Sequence, residues 1–323
     1  MKLLAPVNSL SSAEMQIASG ANEIYVGLES TMFNNYSFSG RGQKGRNGET
    51  IVPNKDELKK IITLAHENNV EVSLAANTPL FSDGLNSEHK FNYEYMNNIY
   101  DSIECGVDNL IIGDIGLLAK LGKMDLPVNV HASTFFDTMN LEQVKFLKEL
   151  GATRVVLTYQ CSMEEIETIC AAKLVEVEVF GYLSCSFFNG ACNLVHNMGE
   201  ECHEVGKNIG VPCKAKYKVT INGKEQVIPY LDAELGCGLC SIYRLYKAGV
   251  DVIKIAGRDR NAKVTECVTK LFRTAIDMAD CKDEREFGEK IQPHIYDWWK
   301  KILCTQNRCK YRTNDITDSY IGL

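Results

Sequence analysis

The feature that most constrains the fold is an alternation of short apolar, β-branched runs with longer segments of helical periodicity. Strands that alternate with helices predict βα units and a parallel sheet. Eight such runs occur, and in chain order they read KLLAPV, EIYVGLE, EVSLAAN, NLIIGD, VNVHAST, RVVLTY, VEVEVFGY and DVIKIAGR. The predicted fold class is therefore α/β, with a (β/α)8, TIM-like barrel.

The segments between the runs have the pattern of amphipathic helices. In NKDELKKIITLAHENN the apolar residues Leu58, Ile61, Ile62 and Ala65 fall on one face, and Asn54 is placed to cap the first turn. This spacing predicts a helix that starts just after Asn54.

One connection is much longer than the others. It runs from the seventh strand, which ends near Tyr182, to a helix that begins near Leu239, whereas βα loops usually take about two to six residues. It contains YKVTINGKEQVIPY, in which Asn222 and Gly223 predict a β-hairpin. Because it leaves the carboxyl end of a barrel strand, it lies on the face where barrels build active sites. The predicted organisation is a barrel over 1–280 that includes a cysteine-rich insertion at 184–238, followed by a helical tail at 281–323.

The charge balance limits the class of partner. The chain has 35 lysines and arginines against 42 acidic residues, a formal charge of −7. A broad nucleic-acid surface needs a basic face, so nucleic acid is the less favoured partner. No apolar run reaches the length of a membrane span, and the sequence predicts a soluble cytoplasmic protein with no membrane contact.

Thirteen cysteines are not expected to form disulfides in a reducing compartment, where thiols are more often buried, catalytic or metal-bound. Those in or beside helical patterns are predicted to be small apolar core residues. They are Cys105, Cys161, Cys170, Cys267 and Cys281.

Alternation of side chains along each strand predicts a polar barrel interior. The fifth run, for example, turns Asn129, His131 and Ser133 inward. A polar interior is either a self-satisfied network or the floor of a substrate cavity. Residues at the carboxyl ends of the strands favour the cavity, and these are Glu29, Asn77, Asp114, Ser133, Thr134 and Arg258.

Two cations and one histidine are the strongest candidates within this interior. Lys254 and Arg258 together suit a carboxylate or phosphate on a substrate, unless they pair with Glu178 or Glu29. His131 is the best available proton-transfer group because the unperturbed pKa of histidine lies near neutrality. The alternative is a core histidine satisfied by Asn129 or Glu178.

The insertion concentrates six cysteines: Cys185, Cys192, Cys202, Cys213, Cys237 and Cys240. Four thiolates can hold an iron–sulfur cluster or a structural zinc ion. Only the CGLC segment has the tight Cys-x-x-Cys form that zinc ribbons use twice, so the spacing favours an iron–sulfur site. A thioredoxin-like redox pair is the alternative for CGLC.

The segment VEVEVFGYLSCSFFNGACN resembles the signature of the peptidase U-32 family, the collagenase-like proteins. Four further segments match in order over roughly residues 1 to 280: LLAPVNSLSSAEMQIASGANEIYVGL, VHASTFFDTMNLEQVKFLKELGATRVVL, VPCK and LCSIYRLYKAGVDVIKIAGR. The family includes a heterodimer that supports oxygen-independent ring hydroxylation in ubiquinone synthesis, and proteins that hydroxylate tRNA uridine or ribosomal RNA cytidine.

This resemblance implies a four-cysteine iron–sulfur cluster, expected to be [4Fe–4S], with zinc as the alternative. Its ligands map onto Cys185, Cys192, Cys213 and Cys240, with Cys202 and Cys237 as substitutes. Two departures fall at the expected site: GYLS replaces the family's His-Gly-Ala, and Ala256 stands where a glutamate is usual.

The expected function is oxygen-independent hydroxylation of a small anionic or aromatic substrate by an iron–sulfur enzyme. The acidic balance, and the absence of the C-terminal extensions of the larger RNA-modifying relatives, favour a small molecule. The expected substrate-binding residues are Lys254, Arg258, Glu29 and Asp114, and the expected catalytic residues are His131, Ser133 and Asn77. The alternatives are an RNA base as substrate, peptidase activity, or a non-catalytic electron relay. A homologous partner subunit or a homo-oligomer fits the family.

Overall fold

Eight parallel strands close into a barrel, as the sequence predicts. The computed structural model describes residues 1–29, 52–77, 90–182, 216–228, 236–258, 260–304 and 309–311. Around the barrel the strands are ordered β1, β10, β7, β6, β5, β4, β3, β2. Their bounds are β1 Lys2–Pro6, β2 Glu23–Val26, β3 Glu71–Ala76, β4 Asn109–Ile112, β5 Asn129–Ala132, β6 Arg154–Val156, β7 Glu176–Tyr182 and β10 Val252–Ile255. Each of the eight apolar runs is confirmed as a barrel strand.

Helices follow the strands and cover the outside of the barrel. Within the described ranges they are α1 Leu10–Ala18, α2 Lys55–Glu67, α3 Lys90–Cys105, α4 Ile115–Leu121, α5 Leu141–Glu149, α6 Met163–Ala171, α7 Ile242–Ala248, α8 Ala262–Asp277, α9 Glu284–Ile291 and α10 Asp297–Ile302. The predicted start of α2 is confirmed, because the Asn54 side chain accepts a hydrogen bond from the Glu57 amide. Its four predicted apolar residues are buried.

Two glycines allow two helix ends to meet. Gly151 follows α5 with a φ of +101°, and a Cβ added to Gly122, after α4, would lie 1.9 Å from the Leu150 carbonyl oxygen. Any larger residue at position 122 would push these two backbone segments apart. The contact therefore helps to set how closely α4 and α5 approach each other.

The hairpin predicted inside the long insertion is confirmed. Strands β8 (Tyr217–Ile221) and β9 (Lys224–Ile228) pair antiparallel in a separate two-stranded sheet. Asn222 and Gly223 both have positive φ, 50° and 77°, which is the conformation that a two-residue type I′ turn requires.

The C-terminal helices α9 and α10 pack on the barrel through buried apolar residues. Trp299 is fully buried, with its ring 5.1 Å from that of Tyr182 at the end of β7 and 6.4 Å from that of Phe272 on α8. Phe287, Ile291 and Trp299 belong to the same hydrophobic core as the barrel strands. The described part of the tail thus shares one core with the barrel.

The five helix-associated cysteines behave largely as predicted. Cys161 and Cys170 are buried, and Cys105, Cys267 and Cys281 are partly buried. Burial raises the pKa of both Cys161 and Cys170 to about 12, so these thiols are protonated apolar fillers. Across the described ranges, none of the helices has the length and apolar character needed to cross a bilayer.

Candidate functional site

A buried network of charged side chains fills the end of the barrel where the strands begin. Arg154 on β6 is 1% exposed, and its Nη1 lies 2.8 Å from Glu23 Oε2 on β2 and 3.2 Å from Glu178 Oε2 on β7. Its Nε donates to Glu176 at 2.8 Å. The Ser73 hydroxyl also donates to Glu23. Because Arg154 spans the barrel between two fully buried carboxylates, this part of the interior is a self-satisfied network.

Lys254 extends that network toward the carboxyl ends of the strands. Its Nζ donates to Glu178 Oε1 at 2.7 Å and lies 4.7 Å from the centre of the Tyr25 ring. The alternative considered for this lysine, pairing with Glu178, is the arrangement in the structure. The Arg258 guanidinium also lies near this ring, 5.5 Å from the Tyr25 ring centre. Two cations therefore flank one aromatic ring at the barrel mouth.

His131 and Asn77 contribute buried polar atoms that need a partner. Among the described residues, His131 Nδ1 and Asn77 Oδ1 have no hydrogen-bond partner. Neither alternative partner of His131 engages that nitrogen: Asn129 donates to Asn109 at 2.9 Å, and Glu178 binds Arg154 and Lys254. Buried polar groups are nearly always hydrogen-bonded, so both atoms are candidates for ligand contacts.

Burial, together with the cations Arg154, Lys254 and Lys2, lowers the pKa of His131 well below its ordinary value of 6.5. The imidazole is therefore neutral at neutral pH. It can accept a hydrogen bond at one nitrogen and donate one at the other, but it does not carry a charge.

This pKa predicts a pH dependence of stability. Below pH ~6.5 the unfolded histidine gains a proton that the folded one does not, so the folded state loses stability as the pH falls. Between pH 7.5 and pH 5.5 the wild type should lose about 1.4 kcal/mol more than His131→Asn. Urea unfolding at the two pH values measures this difference, and equal losses in both proteins would show that His131 titrates normally.

Three further predicted residues lie outside the buried network. Asp114 caps α4, where its Oδ1 accepts from the Leu117 amide at 2.8 Å. The Ser133 hydroxyl accepts from the Phe135 amide at 3.3 Å and caps a short 3-10 turn. Glu29 is exposed after β2. Substrate contact by these three residues stays a prediction.

The sequence interpretation missed a lysine that the tail brings to the barrel mouth. Residues 309–311 lie along the end of β7: the Lys310 amide donates to the Cys237 carbonyl at 2.8 Å, and the Tyr311 hydroxyl donates to the Phe180 carbonyl at 2.9 Å. The Ser241 hydroxyl in turn donates to the Lys310 carbonyl at 2.9 Å. These contacts place the Lys310 side chain beside Phe180, whose ring points into the barrel.

The two cysteines of CGLC differ in their exposure to solvent. Cys237 is buried, which raises the pKa of its thiol to about 12, although the Trp299 side chain hydrogen-bonds to it. Cys240 is exposed. A redox pair needs a thiol with a lowered pKa, so Cys237 fits that alternative poorly.

The rest of the predicted metal set lies outside the described residues: Cys185, Cys192, Cys213 and the substitute Cys202. In the part of the chain that the structure describes, no three His, Cys, Asp or Glu side chains converge on a common point. The four-cysteine site therefore stays a prediction.

Sequence comparison decides the family. The signature of peptidase family U32 matches residues 8–315. This chain belongs to peptidase family U32. Among solved structures, the U32 peptidase Mk0906 superposes with a TM-score of 0.50 at 14% identity, covering 80% of this chain and 93% of that one. At that identity the likeness establishes the barrel fold alone.

Three similar proteins carry names of two kinds. The Escherichia coli "23S rRNA 5-hydroxycytidine C2501 synthase" is 25% identical over 86% of this chain, which spans only 39% of that enzyme's length. The E. coli "tRNA hydroxylation protein P" is 24% identical and covers 86% of this chain and 68% of its own. The "Collagenase" of Porphyromonas gingivalis is 24% identical and covers 95% and 71%. One group is named for RNA hydroxylation and the other for proteolysis.

The described part of this U32 barrel lacks the geometry of a serine peptidase. Such an enzyme pairs its nucleophile with a histidine base. Here the Ser133 hydroxyl caps a turn, and His131, two residues earlier, has no hydrogen-bond partner for Nδ1 among the described residues. Ser133 and His131 therefore do not form such a pair in the structure.

Proposed function

We propose that this chain is an iron–sulfur enzyme that hydroxylates a planar ring substrate without using molecular oxygen. The observation that carries the proposal is the polar barrel interior, where Lys254 and Arg258 lie 4.7 and 5.5 Å from the centre of the Tyr25 ring and where His131 Nδ1 has no hydrogen-bond partner among the described residues. The names of the RNA-hydroxylating relatives support the reaction class.

The mouth suits a flat ring that bears an anionic group. Tyr25 and Phe180 contribute aromatic rings to the mouth, and Lys254 lies 4.7 and 5.7 Å from their centres. Arg258 would take the anionic group, because its planar guanidinium matches a carboxylate or phosphate. Lys254 keeps Glu178 as a partner and adds positive charge beside the ring.

The neutral state of His131 suits a role in orienting the ring. Its free nitrogen can accept a hydrogen bond from a ring N–H or hydroxyl, and Asn77 Oδ1 can accept a second one. These two contacts would fix which ring carbon is presented for reaction. The substrate would then satisfy both buried polar atoms.

The iron–sulfur cluster would be held by Cys185, Cys192, Cys213 and Cys240. The exposed Cys240 thiol and an all-thiolate set fit such a group. When bound, a cluster of this kind supplies electron transfer. Replacing a ring hydrogen by a hydroxyl removes two electrons from the ring. An organic hydroxyl donor can supply the oxygen and accept these electrons, leaving the hydroxylated ring and a donor that has hydrogen in place of its hydroxyl.

Two kinds of ring fit the proposal. A pyrimidine base of RNA follows from the printed names of the relatives. A free aromatic acid follows from the formal charge of −7, which disfavours a broad RNA surface. Cells that express the chain anaerobically distinguish them: mass spectrometry of digested RNA and of extracted metabolites would find the added oxygen in one pool. Oxygen addition in neither pool, with the cluster intact, would refute the hydroxylation proposal.

The cluster itself predicts a large effect of one substitution. Anaerobically purified wild type should contain about four iron and four sulfide ions per chain, and Cys192→Ala should lose most of both. Cys170→Ala is the matched control, because that buried thiol lies on α6 and outside the proposed set, and it should keep its iron. Iron analysis with an absorption or EPR spectrum measures the outcome. A colourless wild type with stoichiometric zinc would replace the cluster with a structural metal.

A further inference from the structure

The Lys310 amine is buried in a cage of aromatic rings. Its Nζ lies 5.1 Å from the ring centre of Tyr159, 5.7 Å from that of Phe180 and 5.0 Å from that of Tyr311. The residue is 7% exposed, and in the described part of the chain its Nζ has no hydrogen-bond partner. Burial lowers the pKa of this amine to about 7.

Burying the Lys310 amine without a ligand costs free energy. Cation–π contacts recover part of the lost hydration, but they leave up to three N–H donors without an acceptor. The backbone contacts of residues 309–311 hold the side chain there: the Lys310 amide donates to the Cys237 carbonyl, and its own carbonyl accepts from Ser241. These backbone hydrogen bonds therefore hold the Lys310 amine, a hydrogen-bond donor, at the mouth.

The cage belongs to the same mouth as Lys254. Phe180 lies 5.7 Å from both Lys254 Nζ and Lys310 Nζ, measured to its ring centre. Its ring also packs against Tyr159, with 4.1 Å between the centres. One amine thus comes from β10 and one from the tail, and the Phe180 ring lies next to both.

We propose that Lys310 anchors the substrate by donating hydrogen bonds to an acceptor oxygen on a planar ring bound beside the Tyr159–Phe180 pair. The inference rests on the proposed function only in placing a ring ligand at the mouth. The oxygen can be a ring carbonyl, as in a pyrimidine, or an oxyanion, as in an aromatic acid. Both present the same acceptor chemistry to the amine.

Binding measurements test the role of this lysine. Isothermal titration with uridine and with 4-hydroxybenzoate gives the dissociation constants of wild type and Lys310→Met. Loss of one hydrogen bond to the amine should weaken binding about ten- to a hundredfold. Lys247→Met is the matched control: that exposed lysine also lies over two tyrosine rings, at 5.5 and 5.7 Å, and its loss should leave binding unchanged.

The outcomes separate the sources of the oxygen. Weakening for the nucleoside alone identifies a ring carbonyl, and weakening for the acid alone identifies an oxyanion. Lys310→Arg, which keeps the donors, should restore part of the affinity, whereas a purely structural lysine would show no such rescue in binding. Equal affinity of wild type and Lys310→Met, or no binding of either probe to folded wild type, overturns the inference. The proposed function is tested separately, by the iron content and by the search for a hydroxylated product.

Discussion

Replacing Arg154 with methionine is expected to lower the free energy of unfolding by about 3–5 kcal/mol. The guanidinium is 1% exposed and contacts Glu23 and Glu178, both fully buried. Without it, Glu178 keeps Lys254 and Glu23 keeps Ser73 and Asn109. Glu23 then loses its guanidinium partner, and burial already raises the pKa of this carboxyl. Urea denaturation of wild type and variant measures the loss.

Arg285→Met is the matched control for this prediction. Arg285 also pairs with a glutamate, Glu289 at 3.1 Å, but its side chain is 88% exposed. An exposed pair one helical turn apart contributes about 0.3–0.5 kcal/mol. If Arg154→Met cost no more than Arg285→Met, the interior network would not be a stability determinant.

The second large effect is expected at Trp299. Trp299→Ala should destabilise the protein by about 3–5 kcal/mol, because it removes a fully buried indole that packs between the end of β7 and α8. The adjacent Trp298 is 38% exposed and stacks on Tyr296 with 5.9 Å between ring centres. Trp298→Ala should therefore cost less than about 1 kcal/mol.

The shape of the urea unfolding curve of Trp299→Ala tests whether the C-terminal helices unfold together with the barrel. Because Trp299 shares the barrel core, the variant should unfold in one transition at a lower urea concentration. A separate early transition, with the barrel transition unmoved, would show that α9 and α10 form an independent unit. The predicted boundary at residue 280 would then mark a real division.

The fold could be predicted because its signal is local and repeated. Each strand is a short β-branched run bounded by turn residues, and each helix presents one apolar face. The hairpin at Asn222 and Gly223 follows from the requirement for positive φ at two adjacent residues. None of these predictions needs a contact between distant parts of the chain.

The candidate site was predicted only in part, because alternation tells which face a residue occupies and not what it contacts. His131 and Lys254 were correctly placed inside the barrel. The same rule, carried back to the first residue of β2 and β6, would have found Glu23 and Arg154. It could not show that they bind each other, since they lie on strands across the barrel.

Lys310 had no signal that sequence alone could provide. It comes after the last barrel strand and the C-terminal helices α9 and α10, in a segment whose sequence shows no helix or strand periodicity. Isolated β-bridges from Tyr182 to Cys237 and from Cys237 to Cys309 bring it to the mouth. Asp114 and Ser133 show a second limit of sequence reasoning. A polar residue after a strand can be a helix cap as readily as a ligand, and both of these cap the following turn.

Barrel closure joins residues far apart in the chain. Lys2 on β1 pairs with Val252 on β10, so the first strand has only one of its two neighbours until β10 has been synthesised. Contacts of such long sequence separation form slowly, and until then the nascent sheet has open edges that can join other chains. The mouth, which also needs residues 309–311, is then among the last regions to mature, and a chaperone that shields those edges would raise the yield of active molecules.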